Sequence, residues 1–338
     1  MTTVDVVVPN YNYGRFLVEC VRSVLEQDGP QVRVLIIDNA STDDSAAIAR
    51  RLRDEDPRVS VILREQNLGP HASFNEGIDW AESEYFLMLF ADDLLMPGAL
   101  KRAVRVMDRD PSIAFSCGAA VQVKPGAAIP QIGSEPLRPA FLLHEGRSFI
   151  ERFCRLGVFQ IPGPSIVVRT DVQKRVGYYR PELPHSDDYE VWLRLAMHGR
   201  VAELDCVQAG IRVHGENRSS ELWAHQIRHI RSTRDALDSF FAHEGGQMRG
   251  SDALHRLGKR GIAQRAYWSA VSHALRGNAE AFDLWKMAFA ISPRTLFLPP
   301  LGYLLRRPDT VQRIMSMVGV EPPPGGPRSR GTRLIHHS

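Results

Sequence analysis

No stretch of this 338-residue chain reaches about 18 uncharged apolar residues, so a bilayer-spanning helix is not expected. Cysteine is scarce: Cys20, Cys117, Cys154 and Cys206 are widely spaced and form no CxxC pair. That spacing points to free, buried thiols in a reducing compartment, and so to the cytoplasm. The amino terminus enters Val4-Asp-Val-Val-Val8 without a basic region, an apolar region or a cleavage site, so no secretory signal is expected. The loop after this first strand lacks G-x-G-x-x-G, which tells against a dinucleotide-dependent dehydrogenase. Net charge is only +3, and nucleic acid is not expected as a partner.

What is present is an ordinary globular composition, 43% hydrophobic and 24% charged. The charge is unevenly spread. Residues 1–220 hold 25 Lys+Arg against 30 Asp+Glu, and the remaining 118 hold 17 against 9. The basic C-terminal part suits an anionic membrane surface, a polyanionic substrate or an acidic partner, or is simply a helical segment with a solvated Arg-rich face.

Apolar runs at 4–8, 32–38, 59–63 and 85–90 alternate with helical periodicity, which implies a doubly wound, parallel α/β sheet. Ser41-Thr-Asp-Asp44 has capping-box spacing, with Asp for the usual Glu, ahead of the second helix. Pro97 suits the first turn of a helix over about 97–108. Strands are expected at 114–123 and 165–169, with one or two more in 201–214, and 124–140 reads as a loop rich in Pro and Gly. Beyond residue 220 strand signals stop, and helices are expected at about 221–243, 252–276, 279–291 and 308–318. The chain divides into a domain at 1–220, a helical extension at 221–320 and a disordered tail at 321–338.

Ligands of open α/β sheets sit beyond the carboxyl ends of the strands. There the chain places Pro9-Asn-Tyr-Asn12, Asp38-Asn-Ala-Ser-Thr-Asp43, Asn67-Leu-Gly69 and Asp92-Asp93. A nucleotide needs a face to stack on, an acceptor for base or ribose, and donors for phosphate. Tyr11, Asp38 and the helix beginning near Pro70 answer these in turn. Two adjacent acids need a cation or donors, and hard oxygen ligands suit Mg²⁺ or Mn²⁺. Asp188 opens an amphipathic helix, as a cap or as a general base at a cleft rim. His214 ends a strand, as a surface histidine or as a ligand to a transition ion.

The order of these motifs resembles family 2 glycosyltransferases. It is carried by Val8-Pro-Asn-Tyr-Asn12, Ile37-Asp-Asn-Ala-Ser-Thr-Asp43, Arg64-Glu-Gln-Asn-Leu-Gly69 with Asn75 and Gly77, Ala91-Asp-Asp-Leu-Leu-Met-Pro-Gly98, Asp187-Asp-Tyr-Glu-Val-Trp-Leu-Arg-Leu195 and Val213-His-Gly-Glu-Asn-Arg-Ser219, over about residues 3–220. The resemblance implies a GT-A fold with a mainly parallel, mixed sheet, a nucleotide-diphospho-sugar donor, a divalent metal (Mn²⁺ or Mg²⁺) and inversion at the anomeric carbon. It implies that Pro9, Asn10, Tyr11, Asp38, Arg64, Asn67, Gly69, Asn75 and Asp92 hold the donor. Asp92 and His214 would hold the metal and Asp188 would act as base. Phe90 departs from the family pattern, standing where the first acid of a DxD is expected. The acceptor implied is a glycan, a lipid-linked molecule or a protein, with peripheral membrane contact through the basic C-terminal helices at the inner face. Two alternatives stand beside this reading: a non-catalytic nucleotide-sugar-binding protein and a sugar nucleotidyltransferase.

Overall fold

Strands β1 (Thr3–Asn10) and β2 (Gln31–Asp38) form where β-branched and aliphatic side chains line both faces of a pleated backbone. They lead the structure, a computed structural model that describes residues 2–124, 140–158, 161–217, 225–296, 299–306 and 334–335. With α1 (Gly14–Leu25), α2 (Ser45–Glu55), β3 (Val59–Leu63), α3 (Pro70–Trp80) and β4 (Tyr85–Met88) they build a parallel half-sheet of order β3-β2-β1-β4. Its register sets Asn10 beside Asp38, Asp38 beside Leu63 and Val7 beside Met88, so all four carboxyl ends open on one edge.

One face of this half-sheet is covered by α1, α2 and α4 (Ala99–Asp108), whose Leu17, Val21, Ala49, Leu52 and Met107 pack on Val4, Val6, Val34 and Ile36. On the other face, α3 presses Phe74 and Ile78 against Val7, Leu35 and Ile37. Gly77 permits that approach, because a Cβ there would stand 2.5 Å from Val7 Cγ1. One carboxylate lies within the sheet. Asp5 is fully buried and takes paired bonds from its register partner Arg33, at 2.8 Å each. It also accepts from Ser83 Oγ (2.6 Å) and the Glu82 and Ser83 amides. Burial alone would raise this carboxyl; the Arg33 and Ser83 bonds outweigh it and hold the group below its ordinary value.

Past β4 the sheet turns mixed. The added elements are β5 (Leu94–Leu95), β6 (Ile113–Val123), β7 (Phe141–His144), α5 (Gly146–Leu156), β8 (Val167–Arg169), α6 (Thr170–Val176), α7 (Asp187–Ala196) and β9 (Arg200–Arg212). The β8 strand runs antiparallel to β4 and β6, and β9 runs parallel to β6 but antiparallel to β5 and β7. A short β10 (Leu334–Ile335) lies parallel to β6. Helices α8 (Gln226–Ala242), α9 (Ser251–Leu275), α10 (Glu280–Ile291) and α11 (Leu301–Arg306) complete the described chain. They do not form a core of their own: Ile230, Phe240, Ile262 and Leu284 join Phe149, Phe153, Val191 and Trp192 in one cluster. Among the described residues no helix is long and apolar enough to cross a membrane. The four cysteines are buried and free, as expected.

Several local expectations are corrected. The apolar run 85–90 stays a strand only to Met88, and Leu94–Leu95 pair separately with β9. The next helix starts at Ala99 behind Gly98, whose left-handed φ of 73° suits glycine, so Pro97 lies before its first turn. Ser41 does not cap α2; its hydroxyl donates to Asp38 (2.6 Å), and Asp43 accepts the Ser45 amide instead (3.0 Å). The region 201–214, expected to hold one or two strands, holds one, Arg200–Arg212. The loop expected at 124–140 falls mainly outside the described residues, as do the helix expected at 308–318 and the tail at 321–338 save Leu334–Ile335.

Candidate active site

The loops leaving β1, β2 and β3 lock onto one another through short polar side chains. Asn10 Nδ2 donates to Asp38 Oδ1 at 2.7 Å, and the Ser41 amide donates to Asp38 Oδ2 at 3.1 Å. Asn12 holds the second loop from the first: its amide donates to Ser41 Oγ (2.9 Å), and its Oδ1 accepts the Thr42 amide (2.7 Å). Two residues here, Asn12 (φ 58°) and Ala40 (φ 61°), sit in the left-handed region that side chains rarely adopt. Such strain persists where surrounding bonds enforce it and gathers at ligand sites. Pro9 is buried within β1, whereas Tyr11, just past its end, is exposed.

The third loop is fastened in the same way. Asn39 donates to Asn67 Oδ1 (2.7 Å) and accepts from Arg64 Nη1 (3.0 Å) and the Leu68 amide (3.1 Å). Arg64 also pairs with Glu76. Gly69 has φ 81° with open space where a Cβ would stand, and it delivers the chain to Pro70 at the start of α3. Asn75 faces elsewhere: its amide makes both bonds to the Tyr179 backbone, at 2.8 and 3.2 Å, joining α3 to the segment before α7.

At the end of β4 the acidic pair divides. Asp93 is buried and accepts the Arg212 amide at 3.2 Å, so it ties β5 to β9 rather than capping α4. Burial, then the neighbouring Asp92 charge, drives the Asp93 carboxyl well above its ordinary value. Asp92 Oδ2 instead accepts from Asn217 Nδ2 (2.9 Å) and lies 3.3 Å from His214 Nε2. His214 rests between the rings of Tyr13 (5.4 Å) and Phe16 (4.9 Å), and Tyr13 donates to the Glu216 carbonyl at 2.7 Å. Burial, then Asp92, raises the Tyr13 phenol, which keeps it a donor.

The donor set fits a divalent cation. Adjacent ligands of an octahedral ion with bonds of about 2.1 Å stand about 3 Å apart, close to the Asp92–His214 separation. Among the described residues no cluster of three or more His, Cys, Asp or Glu gathers to hold an ion. Asp92 and His214 are two such side chains that this edge brings within reach of each other. Phe90 adds none, because its half-buried ring packs edge-on against Phe74 at 5.5 Å.

Phe74 also meets Tyr179 (5.2 Å), carrying this aromatic bridge toward α7. There Asp187 Oδ2 lies 3.1 Å from His71 Nε2 of α3, which sets the first turn of α7 beside the Gly69 loop. Asp188, the next residue, is partly exposed and accepts the Tyr189 amide at Oδ1 (2.7 Å). Two residues on, Glu190 is fully buried and bonded to Arg194 (2.9 and 3.0 Å) and Arg180.

Asn12, Asn39, Ser41, Arg212 and Asn217 are the members that sequence reasoning missed. Asn12, Asn39, Ser41 and Asn217 all lay inside motifs already singled out, and an excess of Asn and Ser in loops after parallel strands was the available signal. A separate cleft of about 480 Å³, lined by Ser112, Arg147, Arg200 and Met248, opens at the far ends of β6 and β9 and shares none of these residues.

Comparison with known proteins addresses the family and the fold. The family described as Glycosyl transferase family 2 matches residues 5–167. Over 110 residues the chain is 36% identical to "Glycosyltransferase GlyG" of Streptococcus pneumoniae serotype 4, covering 32% of this chain and 36% of that protein. Over 223 residues it is 25% identical to the chondroitin synthase of Pasteurella multocida, covering 64% of this chain and 21% of that protein. The matched segments thus span about a third or less of these relatives' lengths. The crystal structure of S. aureus TarS 1–349 aligns with a TM-score of 0.61 at 19% identity, covering 94% of this chain and 88% of that one. The same protein in complex with UDP-GlcNAc aligns at 0.57 and 18%. The shared fold is GT-A, with a helical region following it.

Proposed function

Because residues 5–167 belong to glycosyl transferase family 2, we propose that this chain moves a sugar from a nucleotide-diphospho-sugar to an acceptor hydroxyl with inversion. The observation that carries the reading is the convergence of Asp38, Asp92, His214 and the Asp188 turn on one sheet edge, each from a different element. Tyr11 would stack on the base, while Asp38, fixed by Asn10 and Ser41, would accept from base or ribose. Pro9, Arg64, Asn67 and Gly69 would shape the nucleoside side, and Asn75 would hold that wall in place through Tyr179.

Asp92 and His214 would hold Mn²⁺ or Mg²⁺, whose charge would counter that of the departing diphosphate. Asp188 would take the acceptor hydroxyl's proton as that oxygen bonds to the anomeric carbon and the bond to the nucleoside diphosphate breaks. The UDP-GlcNAc complex of TarS supports a nucleotide-sugar donor, and the chondroitin synthase relative supports polysaccharide or glycoconjugate assembly.

Calorimetry with UDP, GDP and dTDP, with and without Mn²⁺, tests the donor site. One diphosphate is expected to bind in a metal-dependent way, and Asp92→Ala to weaken it on the order of 10–100-fold or more. Metal-independent binding unchanged by Asp92→Ala would overturn the metal assignment. Hydrolysis of UDP-, GDP- and dTDP-sugars then separates an enzyme from a binding protein.

A peripheral membrane contact belongs to the same proposal. Leu275, Phe282 and Leu301 are exposed on α9, α10 and α11, and Lys286 lies 4.3 Å over the Phe282 ring. Apolar side chains beside cations suit an anionic interface. The chain should co-sediment with phosphatidylglycerol vesicles, and Phe282→Ser should release most of it; equal sedimentation of both proteins would remove this surface.

A further inference from the structure

The turn that carries Asp188 is held by a hydrogen-bond chain that starts, buried, in the C-terminal helices. Arg265 of α9 is buried and donates from Nη2 to His229 Nδ1 of α8 at 3.1 Å and from Nη1 to the Gly157 carbonyl at 3.1 Å. A guanidinium only donates, so Nδ1 must accept and the ring proton must sit on Nε2. His229 Nε2–H therefore donates to Tyr189 Oη, 3.2 Å away. The Tyr189 amide in turn donates to Asp188 Oδ1 at 2.7 Å. Burial, then the Arg265 charge, pushes the His229 ring down to about 3, which leaves it neutral.

The other flank of Asp188 is held from the opposite side, where Asp187 meets His71 of α3 at 3.1 Å. A second tie lies in the same turn of α7: Arg180 bonds Glu190 and also Glu244, at 2.6 and 2.8 Å, in the turn after α8. Tyr189 packs its ring near Trp192 (5.6 Å) and Phe153 (6.5 Å), so it cannot swing without disturbing the shared core.

We propose that His229, oriented by Arg265, is a positioning residue: through Tyr189 it fixes the Asp188 carboxylate, and the C-terminal helices are thereby part of the catalytic apparatus. The inference rests on Asp188 being the base. A carboxylate displaced by about 1 Å from its working position costs on the order of 10²-fold in rate. Among substitutions, glutamine at 229 retains an amide N–H near the place of Nε2, leucine does not, and Tyr189→Phe removes only the acceptor.

The test uses the full chain with Asp188→Asn, Tyr189→Phe, His229→Gln and His229→Leu in parallel. Hydrolysis of UDP-, GDP- and dTDP-sugars gives turnover, UDP, GDP and dTDP with Mn²⁺ give affinity by calorimetry, and circular dichroism gives the melting temperature. Tyr189→Phe and His229→Leu are expected to lower kcat about 10²-fold, with diphosphate affinity and folded fraction at the assay temperature unchanged, and His229→Gln to recover most of the loss. An inactive Asp188→Asn beside a fully active Tyr189→Phe would overturn the positioning role alone. Full activity of Asp188→Asn would overturn the base and this role together. Loss of kcat only in step with loss of folded protein would reduce His229 to a structural residue.

Discussion

Asp188→Asn is expected to slow sugar transfer by about 10²–10⁴-fold, the usual range for loss of a general base, while nucleoside diphosphate still binds in a metal-dependent way. The substitution is nearly isosteric, and its Oδ1 keeps the bond from the Tyr189 amide, so the first turn of α7 retains its shape. What is lost is basicity. An acceptor hydroxyl must shed a proton as it attacks, and an amide cannot take it. Steady-state turnover set beside calorimetry separates the effects: kcat should fall while the diphosphate Kd stays within a few-fold of wild type. Near-normal transfer would remove Asp188 from the base role, and a collapse of binding as well would mean that it holds the donor.

The second large effect concerns stability. Glu190 is fully buried, and its partner Arg194 is nearly so. Arg194 pairs with both Glu190 oxygens and also donates to the Val176 and Tyr178 carbonyls, at 2.6 and 2.8 Å. Glu190→Ala would leave that guanidinium buried without its counter-charge, a change that costs about 3–5 kcal/mol. For a chain of this size the melting temperature should fall on the order of 10 °C. Replacing both partners, Glu190→Leu with Arg194→Met, removes the stranded charge and should cost less than the single change. Two thermal melts decide the matter: a double variant no more stable than Glu190→Ala would mean that packing, rather than charge, dominates at this site.

The parallel half of the sheet was legible because its evidence is local. Short apolar runs separated by helical periodicity dictate β-α-β units, and the carboxyl-end rule then places Asp38, Asn67 and Asp92 on one edge. The antiparallel half was less so. β5 is two residues long, too short to register as a pattern, and exists because Leu94 and Leu95 pair with Gly210 and Ala209 far along the chain. The role of Asp93 was hidden for the same reason, since its partner Arg212 is 119 positions away. Ser41 showed capping-box spacing, yet the deeper acceptor Asp38 claims its hydroxyl. For β5 and Asp93 the deciding partners are neighbours in space, which spacing rules do not see. His229 and Arg265 carried no motif at all, and their relation to α7 appears only once the helices are packed.

The cluster shared by α5, α7 and the C-terminal helices also bears on how the protein comes into being. Trp192 and Phe153 reach their buried state only against partners that include Leu284, some ninety positions after Trp192. During synthesis the parallel half-sheet can begin to assemble once β4 and α4 have left the ribosome, because its strand pairings are local. The turn bearing Asp188 must wait, with its apolar face uncovered, until α10 has emerged. A nascent chain therefore assembles the loops that follow β1, β2 and β3 well before the turn bearing Asp188, and in that interval the apolar face of α7 is exposed to chaperones and to aggregation.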